Sequence, residues 1–476
     1  MMVDVAVVGG GVSGLSAAWA LAGRGHRVVV LERQVAAGGN AISERIGGFL
    51  MEHGPSTVNA LAEDAVTAST ALGLDDLRRD LGPGVRRRYL VKGGALKGID
   101  THPLGFVTGA YLPLAARARV LAEVLVRRPP AGAGDETVAE FFARRFGRAF
   151  AEDIVDPLVA GLFAGRADDL SMAAVFPRLV AMERRHGSIT AAMIRRRFGG
   201  GTMPGRRLFS WRDGVGTLPR ALARRLGECL RTGVAVRRLR GGPDAIRIET
   251  ARDGTILAKA VVIATQPHVA AALLDGLDAP AAEAAAAIAA PPLAVVFLGY
   301  RRAAVAHPLD GLGYLTPARE GRAINGALFP STLFPHRAPS GHVAIASYVG
   351  GARAPDLALA PAAELVALAR AEFADLLGAR GDPVVARLRQ WPLGLPQYRP
   401  GHGDLVAALR GLEQRVPGLF ATGNYFAGPS IAACLAEAGE TAARVDGHLR
   451  DRDKAPRVSS AKPIARPHPM SSRRRR

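Results

Sequence analysis

Asp4-Val5-Ala6-Val7-Val8-Gly9-Gly10-Gly11-Val12-Ser13-Gly14-Leu15, followed by an alanine-rich run and then by Val28-Val29-Val30-Leu31-Glu32, decides the fold of this chain. An apolar strand runs into Gly9-x-Gly11-x-x-Gly14, a helix follows, and a second strand ends on an acid. Each part has a mechanical role in a βαβ unit that binds a dinucleotide. Gly9 permits the tight turn, Gly11 lets a pyrophosphate approach the backbone, and Gly14 lets helix and strand pack closely. The helix N-terminus offers unpaired N–H groups and the positive end of its dipole. Glu32, 18 residues beyond Gly14, is placed to accept the ribose hydroxyls. The glycine triad alone is a weak signal; with strand, helix, second strand and acid in register it is a strong one. The unit leaves open whether the ligand is NAD or FAD.

The surrounding chain has 476 residues, 49% of them hydrophobic and 56 of them glycine, enough for two or three domains with a substantial core. Two cysteines, Cys229 and Cys434, provide neither a disulfide framework nor metal-ligand spacing, so a reducing compartment and no bound metal are expected. The apolar N-terminus is accounted for by the first strand and helix, without the pattern of a signal peptide. The uncharged stretch Ala284 to Tyr300 contains Pro291-Pro292 and reads as a helix end plus a strand, not a membrane span. Cytoplasmic residence is therefore expected, with a peripheral position on the cytoplasmic membrane as its variant. The formal charge is +20, and the last 26 residues carry nine Lys/Arg against two Asp. That tail reads as a solvated, disordered extension rather than a nucleic-acid binder. An anionic membrane surface is the other partner such a charge suits.

Beyond the first unit come Gly38-Gly39 and Gly54-Pro55-Ser56-Thr57, a helix around Ala62–Leu72, and a hairpin-like segment at Arg88–Gly94. Residues 110–200 are dominated by helical patterns with Arg-rich faces at 115–128 and 183–197. Val234–Leu239, Ala245–Glu249 and Ala260–Thr265 read as short strands. A strand-rich region, 293–350, precedes a helix at 361–378. Leu419–Gly423 is a strand with a glycine turn, and Ile431–Leu449 is helical. The order implies a discontinuous nucleotide-binding domain with two inserts, its last helix bringing a second N-terminus toward the ligand.

Three further blocks carry a resemblance. Asp156-Pro157-Leu158-Val159-Ala160-Gly161-Leu162-Phe163-Ala164-Gly165 continues through Leu170-Ser171-Met172, Phe176-Pro177, Glu183 and Gly187-Ser188. Trp391-Pro392-Leu393-Gly394-Leu395-Pro396-Gln397-Tyr398 runs on to Gly401-His402, and Gly423-Asn424-Tyr425-Phe426 is followed by Gly428 and Gly439. Together with the fingerprint they resemble the flavin-dependent protoporphyrinogen oxidases of the flavin amine-oxidase superfamily. The resemblance implies an α/β protein. Residues 1–80, 205–275 and 385–450 would form a discontinuous Rossmann-like FAD-binding domain. Residues 81–109 and 276–384 would form a mixed α+β substrate-binding domain, 110–204 a helical, membrane-associating insert, and 451–476 the disordered basic tail.

It also implies roles. Gly9, Gly10, Gly11, Val12, Ser13, Gly14, Glu32 and Arg33 would hold the ADP half of FAD, with the backbone of Val236 beside the adenine. Gly38, Gly39, Asn40, Gly54, Pro55, Ser56 and Thr57 would line the pyrophosphate and flavin. Trp391, Gly423, Asn424 and the helix start Pro429, Ser430, Ile431, Ala432, Ala433, Cys434 would border the flavin ring. Arg88 would pair with a substrate propionate through its guanidinium fork. Leu315, Leu328 and Tyr348 would sandwich a tetrapyrrole, and Gly165 would meet its rim. Read without the resemblance, Arg88 belongs to a solvated arginine run, the leucines to a core, and Cys434, His53 and His402 to packing.

The activity implied is oxidation of protoporphyrinogen IX to protoporphyrin IX in three two-electron cycles. No side chain is catalytic: hydride passes to flavin N5, O2 is the acceptor, and hydrogen peroxide is formed. Coproporphyrinogen III is the alternative substrate. Ala36, Asn40, Pro429 and Arg166 depart from the family's usual residues and leave room for an FAD-dependent oxidoreductase or desaturase of another hydrophobic substrate. The sequence does not give an oligomeric state.

Overall fold

The structure, a computed structural model, describes residues 2–99, 111–128, 134–198, 208–242 and 244–454. The expected basic tail beyond residue 454, and residues 100–110 and 199–207 at the edges of the expected insert, lie outside the described residues. Residues 451–454, assigned by sequence to the tail, instead complete the last helix, Ile431–Lys454.

A strand covered on both faces reads as an unbroken apolar run, and this is how Val5–Val8 of the opening strand Met2–Val8 is used. Val5 and Val7 enter one core and Ala6 and Val8 the other, on opposite sides of the sheet. That sheet has seven strands in the order Leu230–Arg231, Val28–Leu31, Met2–Val8, Thr255–Ile263, Ile246–Thr250, Val236–Arg240. The strand Leu419–Ala421 pairs in parallel with the second half of Thr255–Ile263. The helices Val12–Ala22, Thr217–Leu226 and Ile431–Lys454 cover one face. Pro267–Leu274, Ala279–Ala287 and His402–Arg415 cover the other.

A second seven-stranded sheet runs Val385–Trp391, Leu293–Arg301, His342–Gly350, Ile324–Leu328, Gly311–Leu315, Arg87–Lys92, Ala95–Ile99. Its outer face packs on the helix Ala362–Leu377, while Val295, Phe297, Ala344 and Ala346 of the inner face pack on Phe49 and Met51. The strand Val385–Trp391 corrects the domain boundary set by sequence. It pairs antiparallel with Leu293–Arg301 and so edges the second sheet, not the nucleotide-binding one.

The described part of the insert is helical, with its own core around Phe141, Phe163, Leu170 and Met172. Within it Ala151–Val155 is a π-helical turn leading into the helix Asp156–Phe163. A charged knot holds the insert together. Arg145 and Glu123 are fully buried 3.0 Å apart, and Arg145 Nε also donates to Glu183 at 2.6 Å.

Candidate active site

Three parallel strands of the first sheet, Met2–Val8, Thr255–Ile263 and Leu419–Ala421, deliver the loops of the site to one edge. The N–H of Ala264 donates to Val8 O at 2.8 Å, and that of Thr422 to Ile263 O at 2.9 Å. Gly9, Thr265 and Gly423 therefore meet beyond the carboxyl ends of neighbouring strands, where ligands of open α/β sheets bind. The glycines there are mechanical necessities. Gly9 has φ +110°, a Cβ at Gly14 would stand 2.0 Å from Gly9 O, and one at Gly39 would stand 3.0 Å from Gly11 Cα. The N–H of Gly38 donates to Gly10 O at 2.8 Å, so the Gly38-Gly39 turn lies against the fingerprint. The helix Val12–Ala22 begins at Gly11 with no side-chain cap, leaving its first amides for an anion.

Glu32 is locked beside this loop. Its Oε2 accepts from Gly10 N–H at 2.6 Å and its Oε1 from Gln34 N–H at 2.7 Å, and each oxygen keeps lone-pair capacity for a ribose hydroxyl. Val234 N–H donates to Glu32 O at 2.8 Å, which brings Val236 alongside, while Arg33 is exposed. Thr265 Oγ1, Gln266 Oε1 and Thr422 Oγ1 are buried and have no hydrogen-bond partner among the described residues. Orphaned polar atoms around a cradle that no Cβ can enter are what a dinucleotide would satisfy, so these residues fit FAD. Sequence reasoning passed over all three, whose only signal is their place directly after a strand.

The expected flavin-lining residues converge from the other side. A Cβ on Gly54 would meet Asn40 O at 2.5 Å, so the Asn40 and Gly54–Thr57 segments touch. Trp391 Nε1 donates to His53 O at 2.8 Å, tying the second sheet to that loop. Ser430 Oγ accepts from Ala433 N–H at 3.1 Å at the start of the last helix, beside Pro429. Burial pushes the Cys434 thiol up to about 11, which suits packing and not nucleophilic attack. His53 pairs with Glu44 at 3.0 Å. His402 Nε2 bonds Tyr425 O at 2.8 Å, and burial keeps its imidazole below the ordinary range.

The second sheet gathers the tetrapyrrole candidates on one face. Leu315 stands opposite Gly326, and Gly326 opposite Tyr348; Leu328 stands opposite Ala346. Leu315 is also level with Leu90, two residues from Arg88. Side chains two apart share a face, so Arg88, Leu315, Leu328 and Tyr348 look the same way, toward Phe49 and the Gly54–Thr57 loop. Tyr348 OH lies 3.3 Å from Ser56 Oγ. The insert reaches this face through two glycines. A Cβ on Gly161 would stand 2.6 Å from Leu315 Cδ2. Ala164, at φ +50°, turns the chain so that its carbonyl accepts from Ala352 N–H at 2.8 Å, placing Gly165 near the end of the Tyr348 strand.

Sequence reasoning missed a buried ion pair behind this junction. Arg337 Nη2 lies 2.7 Å from Glu52 Oε1, the two side chains 0% and 3% exposed. Burial pushes the Glu52 carboxyl up, against the pull of Arg337 and Ser43. The one hint in the sequence is an acid closing an otherwise apolar strand, Phe49–Glu52.

Known proteins resemble this chain along most of its length. The family described as flavin containing amine oxidoreductase matches residues 12–446. Protoporphyrinogen oxidase of the chloroplast of Oryza sativa subsp. japonica is 31% identical, over 94% of this chain and 88% of the relative. Coproporphyrinogen III oxidase of Propionibacterium freudenreichii is 30% identical, over 96% of this chain and 93% of the relative. A crystal structure from Exiguobacterium sp. 255-15, provisionally described as a protoporphyrinogen oxidase, superposes with TM-score 0.80 at 22% identity, over 94% of this chain and 99% of that one.

Proposed function

Because the chain belongs to the flavin containing amine oxidoreductases and is an FAD-dependent oxidase, we propose that its substrate is a porphyrinogen and its acceptor O2. Protoporphyrinogen IX is the leading substrate; coproporphyrinogen III, named for the Propionibacterium relative, is the second reading. The observation that carries the proposal is the alignment of Arg88, Leu315, Leu328 and Tyr348 on one face, with the insert's Gly161–Gly165 segment closing over it. A flat apolar macrocycle with ionised propionates suits a surface of leucine and tyrosine with a guanidinium at one end.

FAD, when bound, supplies two-electron oxidation of the substrate and reoxidation by O2. The chain's own residues bind and orient. Arg88 anchors a carboxylate, Leu315 and Leu328 exclude water from the macrocycle's face, and Tyr348, held by Ser56, bounds the flavin side. Over one substrate molecule six hydrogens leave, three O2 are consumed and three H2O2 form. The pyrrole protons lost on aromatisation pass to solvent, so no side chain is needed as a base.

Offering both porphyrinogens under air to the purified protein, with product fluorescence followed, tests the reading. A yellow, reducible protein that converts neither overturns it. Arg88→Ala is expected to raise the KM about 10- to 100-fold, with kcat changed far less, the scale of losing a charge-assisted pair; an unchanged KM removes Arg88 from the site.

The insert is also proposed to rest on an anionic membrane surface. Among the described residues no helix is long and apolar enough to cross a membrane. Leu121, Val124 and Leu125 are 60%, 46% and 81% exposed, and the helix Ile189–Phe198 packed beside them exposes Met193 and Ile194. Arg127, Arg128 and Arg195 flank this patch and are exposed. Apolar side chains rimmed by arginine suit the headgroup region. Leu121→Glu with Leu125→Glu should abolish sedimentation with phosphatidylglycerol vesicles while leaving turnover of dispersed substrate intact; retained sedimentation rules the patch out.

A further inference from the structure

Arg337 lies in the short turn Pro335–Arg337, within the connection between the strands that carry Leu328 and Tyr348. It is fully buried, yet only one of its nitrogens is engaged. Nη2 donates to Glu52 Oε1 at 2.7 Å, to Ser210 Oγ at 2.7 Å and to the Ser56 carbonyl at 3.3 Å. Nε and Nη1 have no partner among the described residues, and the guanidinium sits 4.3 Å over the Phe334 ring. Glu52 is itself fixed, accepting from Ser43 Oγ at 2.5 Å and from Val215 N–H at 3.0 Å.

A buried ion pair is a poor device for stability alone, since apolar residues of similar volume usually serve as well. What an apolar side chain cannot do is hold the Ser56 carbonyl. Ser56 belongs to the Gly54–Thr57 segment, and its hydroxyl lies 3.3 Å from Tyr348 OH. One guanidinium therefore links the acid that ends Phe49–Glu52, the strand Leu208–Trp211 through Ser210, and the loop that meets Tyr348.

We propose that Arg337 is a positioning residue: anchored by Glu52 and Ser210, it fixes Ser56, and through Ser56 it sets the stance of the Tyr348 hydroxyl between the flavin loop and the substrate face. The substrate arm of this inference rests on the porphyrinogen reading; the cofactor arm does not.

Arg337→Lys keeps the charge and removes the fork, and Tyr348→Phe removes the hydroxyl through which the effect on substrate is transmitted. The two changes, singly and together, are scored by FAD titration of the apoprotein, by KM and kcat, and by thermal unfolding. Arg337→Lys is expected to raise both the FAD dissociation constant and the KM about tenfold, the range seen for coupled neighbours. In the Tyr348→Phe background its effect on KM should shrink below about twofold, while its effect on FAD persists. Equal KM losses in both backgrounds, or a lowered unfolding temperature with FAD affinity unchanged, overturn the proposal. Should Arg337→Lys not fold, Ser210→Ala removes one anchor of the guanidinium without touching Ser56 or Tyr348. It should weaken FAD binding about threefold, and unchanged affinity overturns the proposal equally. If no porphyrinogen is turned over by the parent protein, the functional reading fails while the FAD arm still decides the role of Arg337.

Discussion

Gly14→Val is expected to yield a folded but colourless protein. A Cβ at this position would stand 2.0 Å from the Gly9 carbonyl oxygen and 3.1 Å from Ala264 Cβ. Neither neighbour can give way. Gly9 already sits at φ +110°, and its own Cβ position is closed by Ala264 O at 2.6 Å. The added side chain must therefore push the helix Val12–Ala22 off the sheet, and with it the amides that would meet the pyrophosphate. Loss of FAD affinity by more than about 100-fold is expected, since several hydrogen bonds to a charged group are misplaced together. The flavin absorbance of the purified protein reads this directly. Far-ultraviolet circular dichroism should change little, because the strand's pairing is untouched, while the unfolding temperature falls with the lost ligand. A normally yellow variant would contradict the placement of the cofactor.

Glu123→Ala is expected to be the most destabilising substitution in the insert. Arg145 keeps Glu183 at 2.6 Å, but loss of the fully buried Glu123 breaks the other half of the pair and leaves the donors that Glu123 serves without that acceptor, at a cost of about 3 kcal/mol or more. Glu123 does more than neutralise Arg145. It accepts from Ser188 Oγ at 2.5 Å and from the N–H groups of Ile189 and Thr190 at 3.1 Å each, thereby capping the helix Ile189–Phe198. Burial alone would raise its carboxyl, but these hydrogen bonds hold it below the ordinary range. The loss falls on the insert, whose core also holds the helix Asp156–Phe163 that sets Gly161 against Leu315, so FAD should remain bound while the KM rises and the insert becomes the first site of limited proteolysis. Protease resistance equal to the parent's would show that the knot is dispensable.

The nucleotide half was legible because its demands are local. A glycine that must take φ +110°, and another with no room for a Cβ, leave their mark at fixed spacing, and the doubly covered stretch Val5–Val8 is apolar throughout. The proposed substrate face could be read only through the resemblance. Arg88 sits in a run of arginines and Leu315 in an ordinary strand, with nothing local to separate them from solvent or core. Val385–Trp391 was misassigned because strand pairing is non-local: it neighbours the last nucleotide-binding block in sequence but Leu293–Arg301 in space. Arg337 and Glu52 were invisible for the same reason, standing 285 residues apart. Thr265 and Thr422 betray themselves only as orphaned polar atoms, a property that exists once the strands are assembled.

The sheet that holds the fingerprint is completed by Leu419–Ala421, which pairs with Val261–Ile263. During synthesis at roughly 5–20 residues per second, that last strand emerges tens of seconds after the first. Until then the Val261–Ile263 end of the strand Thr255–Ile263 has no partner on that side, and pairing of such high contact order is slow even afterwards. The nascent protein thus passes through a long interval with an open, sticky strand edge. Its yield in a cell should depend on chaperones that shield that edge more than on the stability of the finished fold.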